Sequence, residues 1–307
     1  MPCFSPLRAF SAGKAENGKQ RIVFNVKDAV NPDRPLDLPC GQCIGCRLER
    51  SRQWAMRCVH EAECFSQNCF ITLTYDDDHL PPDGSLCLSD FQKFLKRLRK
   101  RFGKLRFFHC GEYGENLKRP HYHACIFGFD FPDKVFWSER NGNKYYRSAA
   151  LEELWPLGFS MVGDVTFESA AYVARYILKK VNGDLAKDHY DGKRPEYVTM
   201  SRRPGIGKTW FDRFQGDVFP SDEVVFRGFP MRPPKFYDRQ FEVIDPKAFE
   251  LLKSQRLARS KKFSFDRSSS GQVVRVDENS SFRLKDKEVV KKSRITSLVR
   301  NLETQEV

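Results

Sequence analysis

The chain has 307 residues, enough for one large or two modest domains with a hydrophobic core. Its formal net charge of +13 and its clustered basic residues indicate a polyanionic partner, because such clusters attract phosphate backbones; a merely solvated basic surface is the alternative. No apolar run approaches the ~18 residues of a membrane span, and no signal-peptide core is visible, so we expect a soluble, intracellular protein with no membrane partner.

Residues 1–68 are predicted to form a cysteine-rich, basic segment that ends in a helix. Three cysteines share a two-residue spacing in a glycine-containing loop: Cys40, Cys43 and Cys46. Thiolates at this spacing can bind a tetrahedral structural zinc ion, with Cys58 or His60 as the fourth ligand. Thiols without metal and an iron–sulfur cluster are the alternatives. The chain has ten cysteines, but its length and core composition favour reduced thiols over a disulfide framework.

Residues 69–219 contain the candidate catalytic region, which begins with a strand over 69–75. A helix follows, for which Ser89-Asp90 is a suitable N-cap and whose apolar residues recur at helical spacing. Its outer face is strongly basic: Lys93, Lys96, Arg97, Arg99, Lys100 and Arg101. This face is either solvated or a track for phosphate groups.

Two β-prone segments, 104–113 and 119–128, predict an antiparallel hairpin. His121 and His123 are two residues apart, so their imidazoles lie on one face of the second strand, about 6.6 Å apart. Antiparallel pairing brings Glu112 close to them, and the three groups form a possible metal site. Taken alone, a histidine pair in a sheet also fits packing or hydrogen bonding.

Residues 168–180 have the periodicity of a helix with one apolar stripe. Beside that stripe, Tyr172, Tyr176 and Lys179 share a sector about 60° wide, since each residue advances the helix by about 100°. Two phenols and an ammonium therefore lie along one edge. Packing is the alternative interpretation of the tyrosine pair.

The irregular alternation of strands and helices, with strands paired as hairpins, predicts an α+β fold with a mostly antiparallel central sheet and helices on one face. Gly205 to Thr209 is not a phosphate-binding loop, because Arg202 stands where that loop needs a glycine, so we expect no ATP hydrolysis. Residues 220–307 are predicted to be a C-terminal extension with a helix over 246–258 and a mobile basic tail.

Three motifs in this order, Phe70-Ile-Thr-Leu-Thr-Tyr75, His121-Tyr-His123 and Tyr172-x3-Tyr176-x2-Lys179, resemble those of HUH rolling-circle replication initiators. The two-tyrosine arrangement is similar to the branch used by small single-stranded DNA phages. Pro39-Cys-Gly-Gln-Cys-Ile-Gly-Cys-Arg47 and Gly111-Glu-Tyr-Gly-Glu115 are similar to segments of gokushovirus-type microvirus initiators. The resemblance covers about residues 38 to 210.

The resemblance implies an HUH endonuclease domain, RRM-like or ferredoxin-like, that nicks and rejoins single-stranded origin DNA through a 5′-phosphotyrosine. It implies Mg²⁺ or Mn²⁺ on His121, His123 and Glu112, and alternating attack by Tyr172 and Tyr176. Lys179 would steady the phosphate or lower a phenol pKa. A host helicase and polymerase are implied as further partners, in the cytoplasm of a bacterial host.

The sequence alone is compatible with three other functions. A plasmid relaxase or transposase would share the site, although the chain has no room for a long helicase domain. An oxygenase iron triad would use the same ligands, but no cosubstrate site is recognisable. A non-catalytic nucleic-acid binder would combine an RRM-like sheet with a zinc module.

Overall fold

The structure is a computed structural model, and it describes the chain except residues 1–2, 17, 19, 115–117, 141, 180–184, 220, 261–262, 268–272 and 298–307. At 175–179, 185–186, 260, 263–267 and 273–276 it describes the backbone only. The chain forms two compact units, one from residues 1–49 and 253–299 and one from residues 50–252.

The strands are, in chain order, β1 (Leu7–Lys14), β2 (Gln20–Val23), β3 (Leu36–Leu38), β4 (Asn68–Tyr75), β5 (Arg106–Tyr113), β6 (Pro120–Phe127), β7 (Val135–Arg140), β8 (Asn143–Arg147), β9 (Gly158–Gly163), β10 (Tyr197–Met200), β11 (Val224–Phe226), β12 (Phe229–Met231), β13 (Phe263–Arg267) and β14 (Val273–Asp277). The α-helices are α1 (Ile44–Ala62), α2 (Leu88–Phe102), α3 (Ala149–Leu154), α4 (Phe167–Lys179), α5 (Leu185–Tyr190), α6 (Lys208–Val218), α7 (Lys235–Ile244), α8 (Pro246–Ser260) and α9 (Ser281–Thr296). None of the helices in the described residues is long and apolar enough to cross a membrane.

The smaller unit, residues 1–49 and 253–299, contains a three-stranded antiparallel sheet in the order β2–β1–β3 and the hairpin β13–β14. Helix α9 begins at the N-cap Ser280, whose hydroxyl accepts a hydrogen bond from the N–H of Arg283. The sequence predicted a mobile basic tail here, because the segment is poor in apolar residues. The structure contains a hairpin and a helix in this part of the chain, neither of which the sequence predicted, and the mobility of the tail stays a prediction.

A seven-stranded antiparallel sheet in the order β10–β5–β6–β4–β9–β8–β7 forms the centre of the larger unit. Its two faces are named here after the helices that cover them. Ile71 and Tyr122 lie on the α2 face, under α2 and α3. Phe108 and Phe127 lie on the α4 face, under α1 and α4.

The α+β class and the antiparallel sheet are confirmed. Helices cover both faces, whereas the sequence predicted one covered face. The reason lies in the central strands: β6 alternates Tyr122, Ala124 and Ile126 with Cys125 and Phe127, so both faces are apolar and both must be buried. This double coverage places the sheet deep inside the unit.

Helix α2 buries Phe91, Phe94, Leu95 and Leu98, as its periodicity predicts. It begins at Leu88, before the predicted capping residues Ser89 and Asp90, with Cys87 as an N-cap that makes no side-chain hydrogen bond. Much of its basic face makes contacts within the protein. Arg97 donates to the carbonyl of Leu154, Arg99 donates to that of Leu105, and Arg101 pairs with Glu153. A phosphate track on α2 is therefore disfavoured.

The loop around Gly207 begins helix α6 and packs closely against α1 and α7. Gly207 has φ 78°, and its N–H donates to Glu61 Oε2 at 2.6 Å. The hydroxyl of Tyr237 lies 2.8 Å from the place where a Cβ at Gly207 would be. Tyr237 belongs to a third apolar cluster, which α6, α7 and α8 form with Met56 of α1.

Candidate active site

Strand register places the three ligands predicted from the sequence on one face of the sheet. Strands β5 and β6 pair Glu112 with His121, and β4 and β6 pair His121 with Thr74 and His123 with Thr72. Directly paired residues of antiparallel strands project to the same face. All of these side chains therefore lie on the α4 face. The two imidazole centroids are 6.4 Å apart, as the two-residue spacing predicts.

Two threonines orient the histidines. Thr72 Oγ1 is 3.0 Å from His123 Nδ1, and Thr74 Oγ1 is 2.8 Å from His121 Nδ1. When Nδ1 carries the proton and donates to the hydroxyl, the Nε2 lone pair becomes the coordinating atom. Metal-binding histidines are usually held in this way, by a hydrogen bond from the second ring nitrogen. The sequence analysis missed these threonines, although both occupy the polar positions of the alternating strand 70–75.

Glu112 links a histidine to a tyrosine. Its Oε1 lies 2.6 Å from His123 Nε2 and accepts a hydrogen bond of 2.9 Å from the hydroxyl of Tyr172. Both residues are almost fully buried: 2% of the surface of Glu112 and 7% of that of His123 are exposed. The ring of Tyr172 also meets that of His123 edge to face, at 4.9 Å between centroids. A phenol therefore lies in direct contact with the candidate metal ligands.

Helix α4 brings Tyr172 to this position. The helix begins with reciprocal hydrogen bonds between Thr166 and Ser169, in which each N–H donates to the other side chain. Ala170, Val173 and Ala174 are buried against the sheet, because α4 packs on β5, β6 and β10. This packing leaves Tyr172 facing Glu112. Tyr176 and Lys179 lie farther along the same helix, but their side chains are outside the described residues.

The donor set fits a divalent ion on physical grounds. Two imidazoles and a carboxylate suit Mn²⁺ and later transition metals better than Mg²⁺. The threonine hydrogen bonds supply the outer support that such ligands need. The structure brings Glu112 and His123 into contact, whereas the ligand atoms of His121, His123 and Glu112 do not all lie within 4.8 Å of one another. The three residues are the candidate metal site of the sheet by donor type and by shared face.

A second candidate metal site lies in the smaller unit. The Sγ atoms of four cysteines all lie within 4.8 Å of one another: Cys3, Cys40, Cys43 and Cys46. The Cys3 sulfur is 3.8 Å from that of Cys40 and 3.9 Å from that of Cys43. Sulfurs around a tetrahedral zinc ion with bonds of about 2.3 Å are roughly 3.8 Å apart. Among the described residues, no other group of three or more histidine, cysteine, aspartate or glutamate side chains has all its ligand atoms within 4.8 Å of one another.

The surroundings of this four-cysteine group favour the thiolate at Cys43, whereas burial raises the pKa of Cys3 and raises that of Cys46 to about 12. The N–H of Cys40 donates to Cys3 Sγ at 3.3 Å, and the N–H of Phe4 donates to Cys43 Sγ at 3.3 Å. Burial alone would raise the pKa of Cys43, but the N–H groups of Phe4 and Cys46 outweigh it and lower this pKa to about 7. A thiol of lowered pKa is the form that binds metal readily.

The prediction of Cys58 as the fourth ligand is wrong, because Cys3 completes the group. Cys58 lies on the buried side of α1, one turn from Ala55, and is fully buried in the α4-face cluster with Cys125. Burial, and then its hydrogen bond with Cys125, raise its pKa. The alternative ligand His60 is also engaged elsewhere, since its Nδ1 lies 2.8 Å from the Tyr237 hydroxyl and its ring stacks on Trp210. Nothing in the spacing of Cys3 marks it as a ligand.

Known proteins that resemble this chain are all described as replication-associated proteins. A family model described as replication-associated protein ORF2/G2P matches residues 68–181. The replication-associated protein VP4 of Bdellovibrio phage phiMH2K is 34% identical over 275 residues, 84% of each chain. The replication-associated protein ORF2 of Spiroplasma virus 4 is 32% identical over 268 residues, 79% of this chain and 81% of the relative.

A third relative, the replication-associated protein ORF4 of Chlamydia phage 1, is 33% identical over 212 residues, 65% of this chain and 52% of the relative. No solved structure gives a significant match. Glu112, His121, His123 and Tyr172 all lie within the segment that the family model matches. Since the similarity to VP4 and ORF2 extends well beyond that segment, the chain belongs to the replication-associated protein ORF2/G2P family of phages.

Proposed function

We propose that this protein initiates rolling-circle replication of a phage genome by nicking single-stranded origin DNA. The names of its relatives support a role in phage replication. The observation that carries the nicking proposal is the hydrogen bond of 2.9 Å from Tyr172 to Glu112, whose carboxylate also contacts His123. A nucleophile and a metal-ligand set within one hydrogen bond of each other are what metal-assisted phosphoryl transfer requires.

In the proposed reaction, the Tyr172 phenol attacks a DNA phosphorus atom in line. A bond forms from the phenolic oxygen to phosphorus, the bond from phosphorus to the 3′ oxygen breaks, and a 3′-hydroxyl leaves. Glu112 orients the phenol and accepts its proton, and the departing 3′ oxygen takes up one proton, so that the transfer is balanced. A Mg²⁺ or Mn²⁺ ion held by His121, His123 and Glu112 would polarise a non-bridging phosphate oxygen.

The 5′-phosphotyrosine retains the energy of the broken bond, so a 3′-hydroxyl can reverse the reaction without ATP. Tyr176 follows Tyr172 by about one helical turn. We propose that one tyrosine holds the first 5′ end while the other cleaves the regenerated origin, with Lys179 near the phosphate. The free 3′-hydroxyl is a primer end, so we propose a host polymerase and helicase as partners in the bacterial cytoplasm.

The experiment incubates the full chain with a labelled single-stranded origin oligonucleotide and Mn²⁺ or Mg²⁺. A protein–DNA adduct that survives denaturant is expected. Tyr172→Phe combined with Tyr176→Phe should abolish the adduct, whereas Tyr146→Phe, on the α2 side of the sheet, should leave it unchanged. An adduct that persists in the double variant would refute tyrosine attack.

The same experiment separates this proposal from the non-catalytic binder. A binder would retain its affinity for the oligonucleotide and would form no adduct with any variant. Recovery of rejoined oligonucleotide after an unlabelled 3′-hydroxyl strand is added would further support the strand-transfer step.

We also propose a structural Zn²⁺ in the four-cysteine group. The sulfur separations near 3.8 Å and the N–H donors to Cys3 and Cys43 support this assignment. Four thiolates leave no open coordination position, so the ion would have a structural role and not a catalytic one.

A further inference from the structure

We infer that Phe159 is a base-stacking position for single-stranded DNA, next to the phosphate that is cleaved. The inference rests on the proposed nicking function and names a contact of that same site. Phe159 is the second residue of β9 and has 53% of its surface exposed. Its position relative to the histidines follows from the register of four strands.

One cross-strand row contains Glu112, His121, Thr74 and Phe159. Strands β5 and β6 pair Glu112 with His121, β6 and β4 pair His121 with Thr74, and β4 and β9 pair Thr74 with Phe159. Paired residues project to the same face, so Phe159 lies on the α4 face with the histidines. Two strand spacings separate Phe159 from His121, a distance of about 10 Å, which one or two nucleotides can span.

Phe159 is the exposed end of a row that is otherwise largely buried. Glu112 is 2% exposed and Thr74 is 8% exposed. Helix α4 covers this face over β5, β6 and β10, and the row extends beyond those strands to β9. A chain that reaches the histidines from the β9 side would therefore pass over the Phe159 ring.

The backbone holds Phe159 in place. The preceding Gly158 has φ 145°, and a Cβ there would lie 2.2 Å from the N atom of Asp76. The N–H of Asp76 donates to the carbonyl of Leu157 at 3.1 Å, and Trp155 Nε1 donates to the carbonyl of Thr74 at 3.1 Å. The start of β9 is thus fixed against the end of β4. A rigidly held, exposed aromatic ring is a suitable stacking platform.

A cation lies at the same end of the row. Arg119 donates from Nη1 to the carbonyl of Tyr75 at 2.9 Å, and Tyr75 pairs with Gly158 in the sheet. The neighbouring carboxylates are engaged, Asp77 with Arg119 and Asp76 with His79. An exposed aromatic ring at the end of the row that contains Glu112 and His121, in a chain of net charge +13, fits a base of a nucleic acid, so the occupant that we assign is single-stranded DNA.

The test measures binding of a fluorescent single-stranded origin oligonucleotide to the full chain by anisotropy, at one fixed salt concentration. Phe159→Ala should weaken binding by about 5- to 50-fold, whereas Phe159→Trp should bind within about threefold of the parent. Phe229→Ala is the matched control, because Phe229 is 72% exposed on β12, away from this row. It should bind like the parent.

An abasic series identifies the base. Single abasic sites are placed at each of the positions flanking the nick, and one of them should weaken binding to the parent as strongly as Phe159→Ala does. Combined with Phe159→Ala, that abasic site should cause no further loss, because the stacking partner is already absent. Additive losses at every position would overturn the inference.

The outcomes also distinguish this inference from the nicking proposal. If the parent forms the adduct and Phe159→Ala binds the oligonucleotide as tightly as the parent does, the inference is overturned and the nicking proposal stands. If the parent forms no adduct, nicking is refuted. The stacking contact is retained in that case if Phe159→Ala weakens DNA binding and Phe159→Trp restores it. A change of oligomeric state in Phe159→Ala, without a change in DNA affinity, would mean that a second copy of the chain covers the ring.

Discussion

At the scale of single residues, the site depends on two threonines that hydrogen-bond to its histidines. Thr72 and Thr74 stand directly across the sheet from His123 and His121 and bond to their Nδ1 atoms. Each hydrogen bond fixes the orientation of the ring, and when Nδ1 is the donor it leaves Nε2 for a metal. The threonines therefore set the geometry in which the histidines are presented.

We predict that Thr74→Val weakens Mn²⁺ binding by about 10- to 100-fold, because the variant keeps the shape of the side chain and loses the hydroxyl. Isothermal titration calorimetry measures the affinity. The matched control is Thr199→Val, since Thr199 Oγ1 makes the same bond, 2.9 Å to Nδ1 of His109, a histidine that stacks on Phe91. Equal losses in the two variants would point to general destabilisation and contradict the prediction.

Only part of this site could be predicted from the sequence. The spacing of His121 and His123 is sufficient to place both on one strand face, because side chains alternate. Thr72 and Thr74 alternate in the same way, but their partners depend on register across strands about fifty residues apart. Register is decided by the packing of the whole sheet, which one strand does not reveal. Cys3 was missed for a similar reason, since its contact with Cys40 is non-local.

At the scale of secondary-structure elements, the α6 N-terminus shows how closely α1, α6 and α7 pack. Gly207 approaches the Tyr237 hydroxyl of α7, its N–H is bound by Glu61 of α1, and its φ is 78°. A side chain there would meet Tyr237 and would also be strained in the left-handed region. Glycine is therefore required by both conformation and contact.

We predict that Gly207→Ala lowers the free energy of unfolding by about 2 kcal/mol or more, through backbone strain and the clash with Tyr237. Gly216→Ala is the control within the same helix, where a Cβ would meet nothing within 4 Å. That variant should be neutral or more stable by about 0.5–1 kcal/mol, since alanine is the better helix former. Urea denaturation measures both, and a stable Gly207→Ala variant would contradict the packing described.

Predictability at this scale differs between elements. Helices α2 and α4 follow from their apolar periodicity, because local spacing decides which side is buried. The coverage of both sheet faces was not predicted, since short apolar strands do not reveal how many layers will pack on them. The hairpin β13–β14 and helix α9 were not predicted either, because their segment has few apolar residues to signal a packed structure.

At the scale of the whole molecule, the two candidate metal sites differ in their ligands and lie in different units. The site on the sheet has the Tyr172 phenol beside it, whereas the four-cysteine group is a closed set of thiols. We expect that the first site exchanges its ion readily and that the second retains it through purification.

We predict that the purified chain carries one equivalent of zinc, measured by plasma emission spectrometry, and that Cys3→Ser lowers this content strongly, because three thiolates hold zinc less well than four. Cys58→Ala is the control and should keep the zinc, although the cavity it leaves in the core should lower the melting temperature. Zinc retained by Cys3→Ser but lost from Cys58→Ala would reverse our assignment of the fourth ligand.

The wide sequence separation of Cys3 and Cys40, 37 positions, affects how the chain folds. An ion bound by both thiols closes a long loop, and loop closure reduces the number of conformations that an unfolded chain can adopt. Because free thiols of an unfolded chain also capture zinc, early addition of the ion can lock in the wrong set among ten cysteines. Refolding yield should therefore depend on whether zinc is supplied before or after the reductant and denaturant are removed.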